Sequence, residues 1–462
     1  MTRIAIIGGG ISGLAAAFTL EEHRRKSGAN LEYTLYESSR RLGGVLQTER
    51  IDGCVVEAGP DSFLTEKPWA AELCRAIGIG DQLIGSNDHE RKTYILVRGR
   101  LVEIPHGLMF MVPTKILPTV LSPLFSWKTK LRMAREFLAP PYPVKTDESV
   151  ASFVERHYGA EMIDRLADPL LSGIYGGGAA NLSVCAVLPR FAEMEGFHGS
   201  LGRAMLAARR KAPIGGSPRP IFTSLKNGMQ QLVDALVPRL SSSSLRTSVP
   251  VRAIQREGNR WIVATETQSD DFDAVIVATP APIAGRLLAN YASELAAELD
   301  AISYTSSITI ALGFHGEVRR ELPPGFGFLV PHSEGRRMLA ATFVHNKFSH
   351  RVPADRAQLR CFIAGKNADE VWSFSDEKII AVVSKELREI LGIRVQPLFA
   401  RVYRWTSAMA QYGVGHLERL EKIEGLRRQL PGLALAGNGY RGIGIPDCIR
   451  MGRDAAKEVA SF

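Results

Sequence analysis

Residues 4–13 read IAIIGGGISG, and this stretch decides the fold of the amino-terminal region. Four apolar residues predict a buried strand, and Gly8, Gly10 and Gly13 after it follow the spacing G-x-G-x-x-G. The next residues, LAAAFTL, favour a helix. A second predicted strand, YTLYE at 33–37, ends on an acidic residue 24 positions after Gly13. Together these parts predict a dinucleotide-binding βαβ unit.

Each part of this unit has a physical role in holding a dinucleotide. Gly8 permits a tight turn, Gly10 lets the backbone approach a pyrophosphate, and Gly13 lets the helix pack closely on the strand. The amino terminus of the helix offers free N–H groups and the positive end of its dipole to the phosphates. Glu37 can accept hydrogen bonds from both hydroxyls of an adenosine ribose. The alternative interpretation is an ordinary glycine-rich turn.

Composition sets the size and general class of the protein. The chain has 462 residues, of which 45% are hydrophobic and 23% charged, which suits a globular protein of two or three domains. The net charge is +9, a balance that attracts nucleic acid, an anionic membrane or an anionic substrate. No aromatic-interleaved basic stripe is present, so we expect no nucleic acid partner. No apolar run reaches the length of a membrane span, and we expect no targeting segment.

The reactive residue types form no catalytic or metal-binding pattern. The five cysteines are scattered without a C-x-x-C pair, which predicts a reducing compartment and no disulfide framework: Cys54, Cys74, Cys185, Cys361 and Cys448. The histidines show no ligand spacing, so we expect no metal. The sequence lacks a G-x-S-x-G elbow as well.

Two further segments indicate which dinucleotide binds. Residues 37–48 read ESSRRLGGVLQT, with a basic pair directly before two glycines. Residues 433–447 read LALAGNGYRGIGIPD, a predicted strand and a glycine-rich approach to a helix. Both segments resemble the FAD-binding motifs of the flavoprotein superfamily that contains the amine oxidases. That resemblance implies FAD rather than NAD, with the second motif near the ribityl chain and isoalloxazine.

The whole chain resembles the oxygen-dependent porphyrinogen oxidases within that superfamily. The matching segments are GGGISGLAA (8–16), ESSRRLGG (37–44), EAGPDSFL (57–64), PTKI (113–116), DPLLSGIY (168–175), GFGFLVP (325–331), RW (404–405), QYGVGH (411–416) and YRGIGIPDCI (440–449). Three of them, around 59–64, 170–175 and 442–449, look most like the bacterial branch, which oxidises coproporphyrinogen III. The mitochondrial and plastid branch oxidises protoporphyrinogen IX.

This resemblance implies a reaction and its residues. The reaction is the six-electron oxidation of a porphyrinogen in haem biosynthesis, with O2 as acceptor and H2O2 as product; the flavin N5 carries the chemistry, so we expect no catalytic side chain. The implied cofactor-binding residues are Gly8, Gly10, Ser12, Gly13, Leu14, Glu37, Ser38, Arg41, Gly44, Val45, Gly59, Pro60, Asp61, Ser62, Val251, Trp405, Gly437, Ile443, Gly444, Ile445 and Asp447.

The substrate site is less sharply indicated. By resemblance, Gly173 contacts the macrocycle through its backbone, and Leu329, Thr342 and Phe362 line the cavity. Core packing is the alternative role for each of these four. Lys67, Arg98 and Arg190 are candidate partners of the substrate propionates, with solvated surface charge as the alternative. Thr93 stands where eukaryotic relatives have a propionate-binding arginine, which shifts recognition away from the eukaryotic mode.

The predicted fold combines three parts. We expect an α/β FAD-binding domain of Rossmann type, an α+β substrate domain with an antiparallel sheet, and a helical insert. The expected bounds are 1–85, 220–285 and 400–462 for the FAD-binding domain, 86–105 and 286–399 for the substrate domain, and 106–219 for the insert. Residues 93–105 alternate like a hairpin, and a helix is expected near 376–391.

The insert carries an unusual mixture of side chains between 106 and 145. It is apolar and rich in proline, with the basic residues Lys115, Lys128, Lys130, Arg132, Arg135 and Lys145 against the single acid Glu136. One interpretation is peripheral contact with the inner face of the cell membrane, and the other is a helical roof over a pocket. The two interpretations do not exclude each other.

Several alternatives remain at this stage. Protoporphyrinogen IX is the second candidate substrate. An amine oxidase or a carotenoid desaturase could use the same scaffold, and a flavin-bearing partner protein without activity is a further hypothesis. We expect a cytoplasmic protein, with transient contact to the next enzyme of the haem pathway as a hypothesis. The oligomeric state is left open.

Overall fold

The apolar run of residues 4–7 lies in the middle of a parallel sheet in the computed structural model, which describes residues 1–142, 146–211 and 220–461. The first 103 residues contain the strands β1 (Thr2–Ile7), β2 (Leu31–Glu37), β3 (Thr48–Ile51), β4 (Cys54–Glu57), β5 (Phe63–Leu64), β6 (Leu83–Gly85), β7 (Thr93–Val97) and β8 (Arg100–Glu103). Two helices lie among them, α1 (Ile11–Ser27) and α2 (Trp69–Ala76).

The next hundred residues are mainly helical, as predicted for the insert. Their elements are β9 (Leu108–Met109), β10 (Val112–Pro113), α3 (Ile116–Leu121), α4 (Trp127–Glu136), α5 (Val150–Tyr158), α6 (Ala160–Met162), α7 (Asp168–Tyr175), α8 (Val184–Val187), α9 (Pro189–His198) and α10 (Leu201–Lys211). These helices enclose a core of their own that includes Phe153, Tyr158 and Leu201. The proposed end of the insert at 219 falls on residues that the structure does not describe.

The chain then returns to strands. This part contains β11 (Phe222–Leu225), α11 (Gln230–Leu236), β12 (Leu245–Thr247), β13 (Val251–Glu257), β14 (Arg260–Thr265), β15 (Ser269–Phe272), β16 (Ala274–Val277), α12 (Ala281–Leu288) and α13 (Ser293–Asp300). The remaining elements are β17 (Tyr304–His315), β18 (Gly327–Leu329), β19 (Ala340–Phe343), α14 (Val344–Lys347), β20 (Arg356–Ala364), α15 (Lys366–Val371), α16 (Asp376–Leu391), β21 (Phe399–Ala410), α17 (His416–Arg428), β22 (Leu433–Leu435) and α18 (Ile445–Ala460).

The parallel sheet gathers strands from distant parts of the sequence. Its order is β12-β2-β1-β16-β22, and every neighbouring pair is parallel. The carboxyl ends of parallel strands meet at one edge, so α1 after β1 and α18 after β22 both begin there. The two helices pack together closely enough that Gly452 lies against the backbone of Ser12.

The second large sheet has seven strands in the order β21-β17-β20-β19-β18-β7-β8. Its neighbouring strands are antiparallel, as predicted for the substrate domain, except that β18 and β7 run parallel. This exception arises because β7 joins the sheet from the amino-terminal region rather than by a hairpin from β18. The predicted hairpin forms β7 and β8, and the predicted helix near 376–391 is α16.

One face of the seven-stranded sheet packs against α16 and forms a hydrophobic core. Phe328, Phe343 and Cys361 point into it, together with Val383 and Leu387 of α16. Because side chains alternate along a strand, their sequence neighbours point to the opposite face. The site described below is built on that opposite face.

Two searches of the described residues bear on function. No helix among them is both long and apolar enough to cross a bilayer. No three or more His, Cys, Asp or Glu side chains in these ranges form a metal-binding arrangement. The division into three domains stays a prediction, and one of its bounds cuts across a sheet: β21, which the bounds at 400–462 give to the FAD-binding domain, pairs with β17 in the seven-stranded sheet.

Candidate cofactor and substrate site

The glycine turn after β1 leaves the start of α1 open. Gly10 occupies the N-cap position with extended backbone and no capping side chain, so the first amides of α1 lack a side-chain acceptor. A Cβ built on Gly10 meets no described atom within 4 Å. Gly8 has φ of 109°, and a Cβ on Gly13 would overlap the Gly8 carbonyl oxygen. The turn therefore has the shape and the free donors that a pyrophosphate requires.

Glu37 lies at the end of β2, directly above this turn. Its Oε2 accepts a hydrogen bond of 2.7 Å from the amide of Gly9, and its Oε1 accepts one of 2.8 Å from the amide of Ser39. Oε1 also accepts from the Ser38 hydroxyl at 3.3 Å, so these bonds fix the carboxylate beside the glycine turn while Oε2 keeps a lone pair free. The carbonyl of Glu37 also accepts from Val249, which brings the segment leading to Val251 alongside.

The glycine pair after β2 closes over the turn. The amide of Gly43 donates to the Gly9 carbonyl at 2.7 Å. Arg41 donates to the carbonyl oxygens of Leu42 (3.1 Å), Leu46 (2.8 Å) and Gly44, and burial lowers the pKa of its guanidinium. The resemblance suggests that Arg41 runs along the pyrophosphate. In this structure its contacts hold the 42–46 loop in shape.

The carboxyl-terminal motif supplies a second uncapped helix start. Gly444 is the N-cap of α18 and carries no capping side chain, and Pro446 fits the first turn. Asp447 is buried, and its Oδ2 accepts a 2.6 Å hydrogen bond from Lys67 Nζ. Because α1 and α18 begin at the same edge of the parallel sheet, the two glycine motifs open on one cleft.

The 58–62 turn, with the sequence AGPDS, follows β4 at this cleft. A Cβ on Gly59 would overlap the carbonyl oxygen of Val45, so the turn lies against the 42–46 loop. The Ala58 carbonyl accepts a 2.9 Å hydrogen bond from the indole Nε1 of Trp405. Asp61 pairs with Lys347 at 2.9 Å. The predicted cofactor residues of this turn thus lie next to Gly44 and Val45 of the 42–46 loop.

These observations fit a dinucleotide with a flavin end. The open position at Gly10 and the two uncapped helix starts suit the pyrophosphate, and the Glu37 carboxylate suits the adenosine ribose. The 58–62 turn and the start of α18 continue the same cleft towards the seven-stranded sheet. Leu14, in contrast, is fully buried between α1 and the parallel sheet and supports the site by packing.

Three of the four candidate substrate residues share one face of the seven-stranded sheet. Leu329 and Phe362 both pair with Ala340, and Thr342 lies two residues further along the same strand. They therefore point to the face opposite the hydrophobic core. The fourth candidate, Gly173 in α7, lies across from this face: a Cβ built on it would be 4.0 Å from Leu329 Cδ2. α7 therefore faces the side of the sheet where the resemblance implies the substrate chamber.

The candidate propionate partners do not lie together. Lys67 pairs with Asp447 at the start of α18. The exposed Arg190 is 3.6 Å from Glu66, the residue before Lys67, so these two cations lie in the same region. Arg98 lies instead in the β7–β8 turn, where Glu334 accepts from its amide. Lys67 and Arg190 remain candidates by position, and the position of Arg98 in that separate turn gives it no support.

The structure adds residues that the sequence interpretation missed. Arg360 lies on β20 two residues before Phe362, on the chamber face, and it donates to the Gly59 carbonyl. Lys347 and Arg351 contact the same turn from the segment after β19. A signal was available for Arg360, because a single cation interrupts the apolar strand sequence LRCFIA.

Comparison with known proteins gives a consistent result along the whole chain. Residues 11–460 match the family model described as flavin containing amine oxidoreductase. A coproporphyrinogen III oxidase of Bacillus subtilis is 34% identical, with 100% of this chain and 98% of that protein covered. A protoporphyrinogen oxidase 2 of Arabidopsis thaliana is 28% identical, with coverages of 100% and 94%.

A solved structure supports the same relation. The crystal structure of a protein from Exiguobacterium sp. 255-15, provisionally named a protoporphyrinogen oxidase, superposes with a TM-score of 0.88. It is 30% identical and covers 100% of this chain and 99% of its own.

Proposed function

The chain belongs to the flavin containing amine oxidoreductase family, and from this premise we propose that it oxidises coproporphyrinogen III to coproporphyrin III. It is an FAD-dependent oxidoreductase, and the residues around Gly10, Glu37 and Gly444 fit that cofactor. The reaction consumes three O2 and yields three H2O2 for each porphyrin, because six hydrogens leave the macrocycle in pairs. Bound FAD supplies the hydride acceptor for each pair.

One observation carries the proposal: the sheet face that bears Leu329 and Phe362 meets the 58–62 turn, which in turn lies against the 42–46 loop of the first glycine motif. Leu329 and Phe362 project from this face, and Gly173 of α7 lies opposite, where its missing side chain leaves space beside Leu329. A tetrapyrrole that becomes flat as its bridging carbons are oxidised needs apolar walls for its faces and water excluded from the reacting carbon. The side chains bind and orient, so the proposal needs no catalytic acid or base.

Charge favours the substrate with more carboxylates. Coproporphyrinogen carries four propionates and protoporphyrinogen two, and the chain has a net charge of +9. Lys67 and Arg190 lie beside the mouth of the cleft. Arg190 is exposed and its contact with Glu66 is long, so this guanidinium can turn to a propionate at small cost.

The test compares kcat/KM for the two porphyrinogens by porphyrin fluorescence, with heat-killed enzyme as the autoxidation control. We expect a clear preference for coproporphyrinogen III and about three peroxides per porphyrin. A preference for protoporphyrinogen would move the protein to the other branch. Faster oxidation of an amine than of either porphyrinogen would favour the amine oxidase alternative, and no turnover of either would contradict the proposed activity.

We further propose that the protein is cytoplasmic and touches the inner face of the cell membrane through α3 and α4. Six large apolar side chains in these helices and just after α4 are between 64% and 80% exposed: Ile116, Leu117, Leu121, Trp127, Leu131 and Leu138. The basic residues of this region lie among them, with Lys130 over the Trp127 ring at 4.7 Å. Glu136 does not oppose this charge at the surface, because it is buried. Lys145 lies outside the described residues.

Sedimentation with vesicles that contain anionic lipid tests this proposal. We expect binding at low salt that falls as salt rises, and weaker binding of Leu131→Ser. Val395→Ser is the matched control, because Val395 is also an exposed apolar residue but lies outside α3 and α4. If the protein stays in the supernatant at low salt, the membrane proposal fails, and the remaining interpretation of the insert is a helical roof over a pocket. Transient contact with the next haem-pathway enzyme stays a hypothesis.

A further inference from the structure

The 58–62 turn rests on a buried network of five charged side chains. Glu57 and Asp61 provide two carboxylates, and Lys347, Arg351 and Arg360 provide three cations. Glu57, Arg351 and Arg360 are at least 95% buried, and the Asp61 and Lys347 side chains are largely so. Burial acts to raise the pKa of Asp61, but the charges of Lys347 and Arg360 outweigh it and hold the pKa well below its usual range. Burial raises the pKa of Glu57 and lowers that of Lys347, while the ion pairs of the network oppose both shifts. With all five groups ionised, the three cations exceed the two carboxylates by one charge.

Side chains from the carboxyl-terminal half hold the carbonyl oxygens of this turn. Trp405 donates to Ala58, Arg360 donates to Gly59, and Arg351 donates to Asp61 at 3.3 Å. A trans peptide points its N–H opposite to its C=O. The amide of Gly59 is therefore turned away from Trp405 of the seven-stranded sheet, and the amide of Ser62 is turned away from Arg351. The 42–46 loop packs against the same turn at Gly59.

Arg360 also connects this turn to the substrate chamber. Its guanidinium lies 4.7 Å from the centre of the Phe362 ring, a cation–π contact. Phe362 is one of the candidate residues that line the chamber. Within the described residues Arg360 Nε has no hydrogen-bond partner, so the guanidinium is held by one face contact, the Gly59 carbonyl and the charge of Asp61. It thus lies between the cofactor cleft and the chamber.

We propose that Arg360 is a positioning residue for the flavin. Through Gly59 and Asp61 it fixes the 58–62 turn with its amides towards the cofactor. The excess positive charge of the network favours the reduced cofactor, since charge near the flavin ring sets its electronics and a low-dielectric interior screens that charge weakly.

The reduction potential of bound FAD tests this inference without any porphyrinogen, so the result is independent of the proposed substrate. The holoprotein is titrated against a reference dye for the wild type, Arg360→Gln, Arg360→Lys and Asp61→Asn. Arg356→Gln is the matched control, because Arg356 lies on the same strand but pairs with the exposed Asp355. Each spectrum also reports the fraction of protein that holds FAD.

We expect Arg360→Gln to disfavour reduction about tenfold, which is a shift of about 30 mV for two electrons. Arg360→Lys keeps the charge and should stay close to the wild type, and Asp61→Asn should shift the potential in the opposite direction. Arg356→Gln should leave it unchanged. If Arg360→Gln does not hold FAD, Lys347→Gln removes a charge from the same network and should shift the potential in the same direction.

Two results would overturn the inference. One is a wild-type potential in Arg360→Gln, or in Lys347→Gln where that variant replaces it. The other is a shift of Asp61→Asn in the same direction as the cation variants, which would mean that general loosening of the turn rather than charge sets the potential.

Discussion

Replacing Gly13 by alanine is the smallest change that tests the geometry of the cofactor cleft. A Cβ on Gly13 would lie about 1 Å inside the 3.0 Å limit of real Cβ contacts, with the Gly8 carbonyl oxygen as the obstacle. That obstacle is backbone, so it cannot swing aside as a flexible side chain would. Either the glycine turn or α1 must move, and both carry the uncapped amides that we propose face the pyrophosphate.

The expected loss follows from those contacts. Overpacking costs about 1–3 kcal/mol of folding free energy. A hydrogen bond to a charged group contributes about 1.5–3 kcal/mol, so misplacing one phosphate contact weakens FAD binding by about tenfold or more. The measurement is the dissociation constant of FAD from protein flavin fluorescence, with thermal unfolding recorded alongside.

Gly425→Ala is the matched control for this change. Gly425 lies within α17, and a Cβ there meets no described atom within 4 Å. Alanine should therefore stabilise this helix by up to about 1 kcal/mol and leave FAD affinity unchanged. If Gly13→Ala binds FAD as tightly as Gly425→Ala, the close packing of turn and helix does not shape the cofactor site, and the reasoning fails.

Three further changes test other parts of the structure. Glu37→Ala should weaken FAD binding by about 1–3 kcal/mol, because a charged acceptor for the ribose is lost; titration calorimetry measures it, and unchanged affinity would contradict the assigned role. Phe362→Ala should lower kcat/KM for the porphyrinogen several-fold through lost apolar contact, while an unchanged value would remove Phe362 from the chamber wall. His157 lies between two buried carboxylates, 3.3 Å from Glu136 and 2.9 Å from Glu195. Burial acts to lower its pKa, but the hydrogen bonds with Glu136 and Glu195 outweigh this and raise the pKa above 6.5. The stability that charged His157 contributes is therefore present below pH 6.5 and lost as pH rises through the raised pKa. Thermal unfolding should show a wild-type advantage over His157→Gln that shrinks as pH rises from 6 to 9, and a constant difference would refute it.

The sequence was a good guide wherever function depends on a local backbone pattern. The G-x-G-x-x-G spacing, the acid at the end of β2 and the glycine-rich start of α18 each act within a few residues, so they could be identified directly. The helix at 376–391 and the hairpin around 98–99 followed from short-range periodicity in the same way. Similarity along the whole chain then showed that these motifs belong to the flavin containing amine oxidoreductase family.

The contacts between distant segments could not be identified in that way. The parallel pairing of β18 with β7 joins residues more than 200 positions apart, and nothing in either strand marks its partner. The contacts of Arg360 and Trp405 with the 58–62 turn span about 300 positions or more. A charged residue in an apolar strand can be seen in the sequence, but the group that compensates its charge cannot.

The sequence by itself therefore determined the position of the glycine turns, because residue type enforces that local conformation. Its resemblance along the whole chain indicated the cofactor and the family. The tertiary structure decided which face of the seven-stranded sheet meets the 58–62 turn and which cations surround that turn. It did so because burying a charge is favourable only where opposite charges and carbonyl oxygens converge on it, and that convergence exists only once the chain has folded.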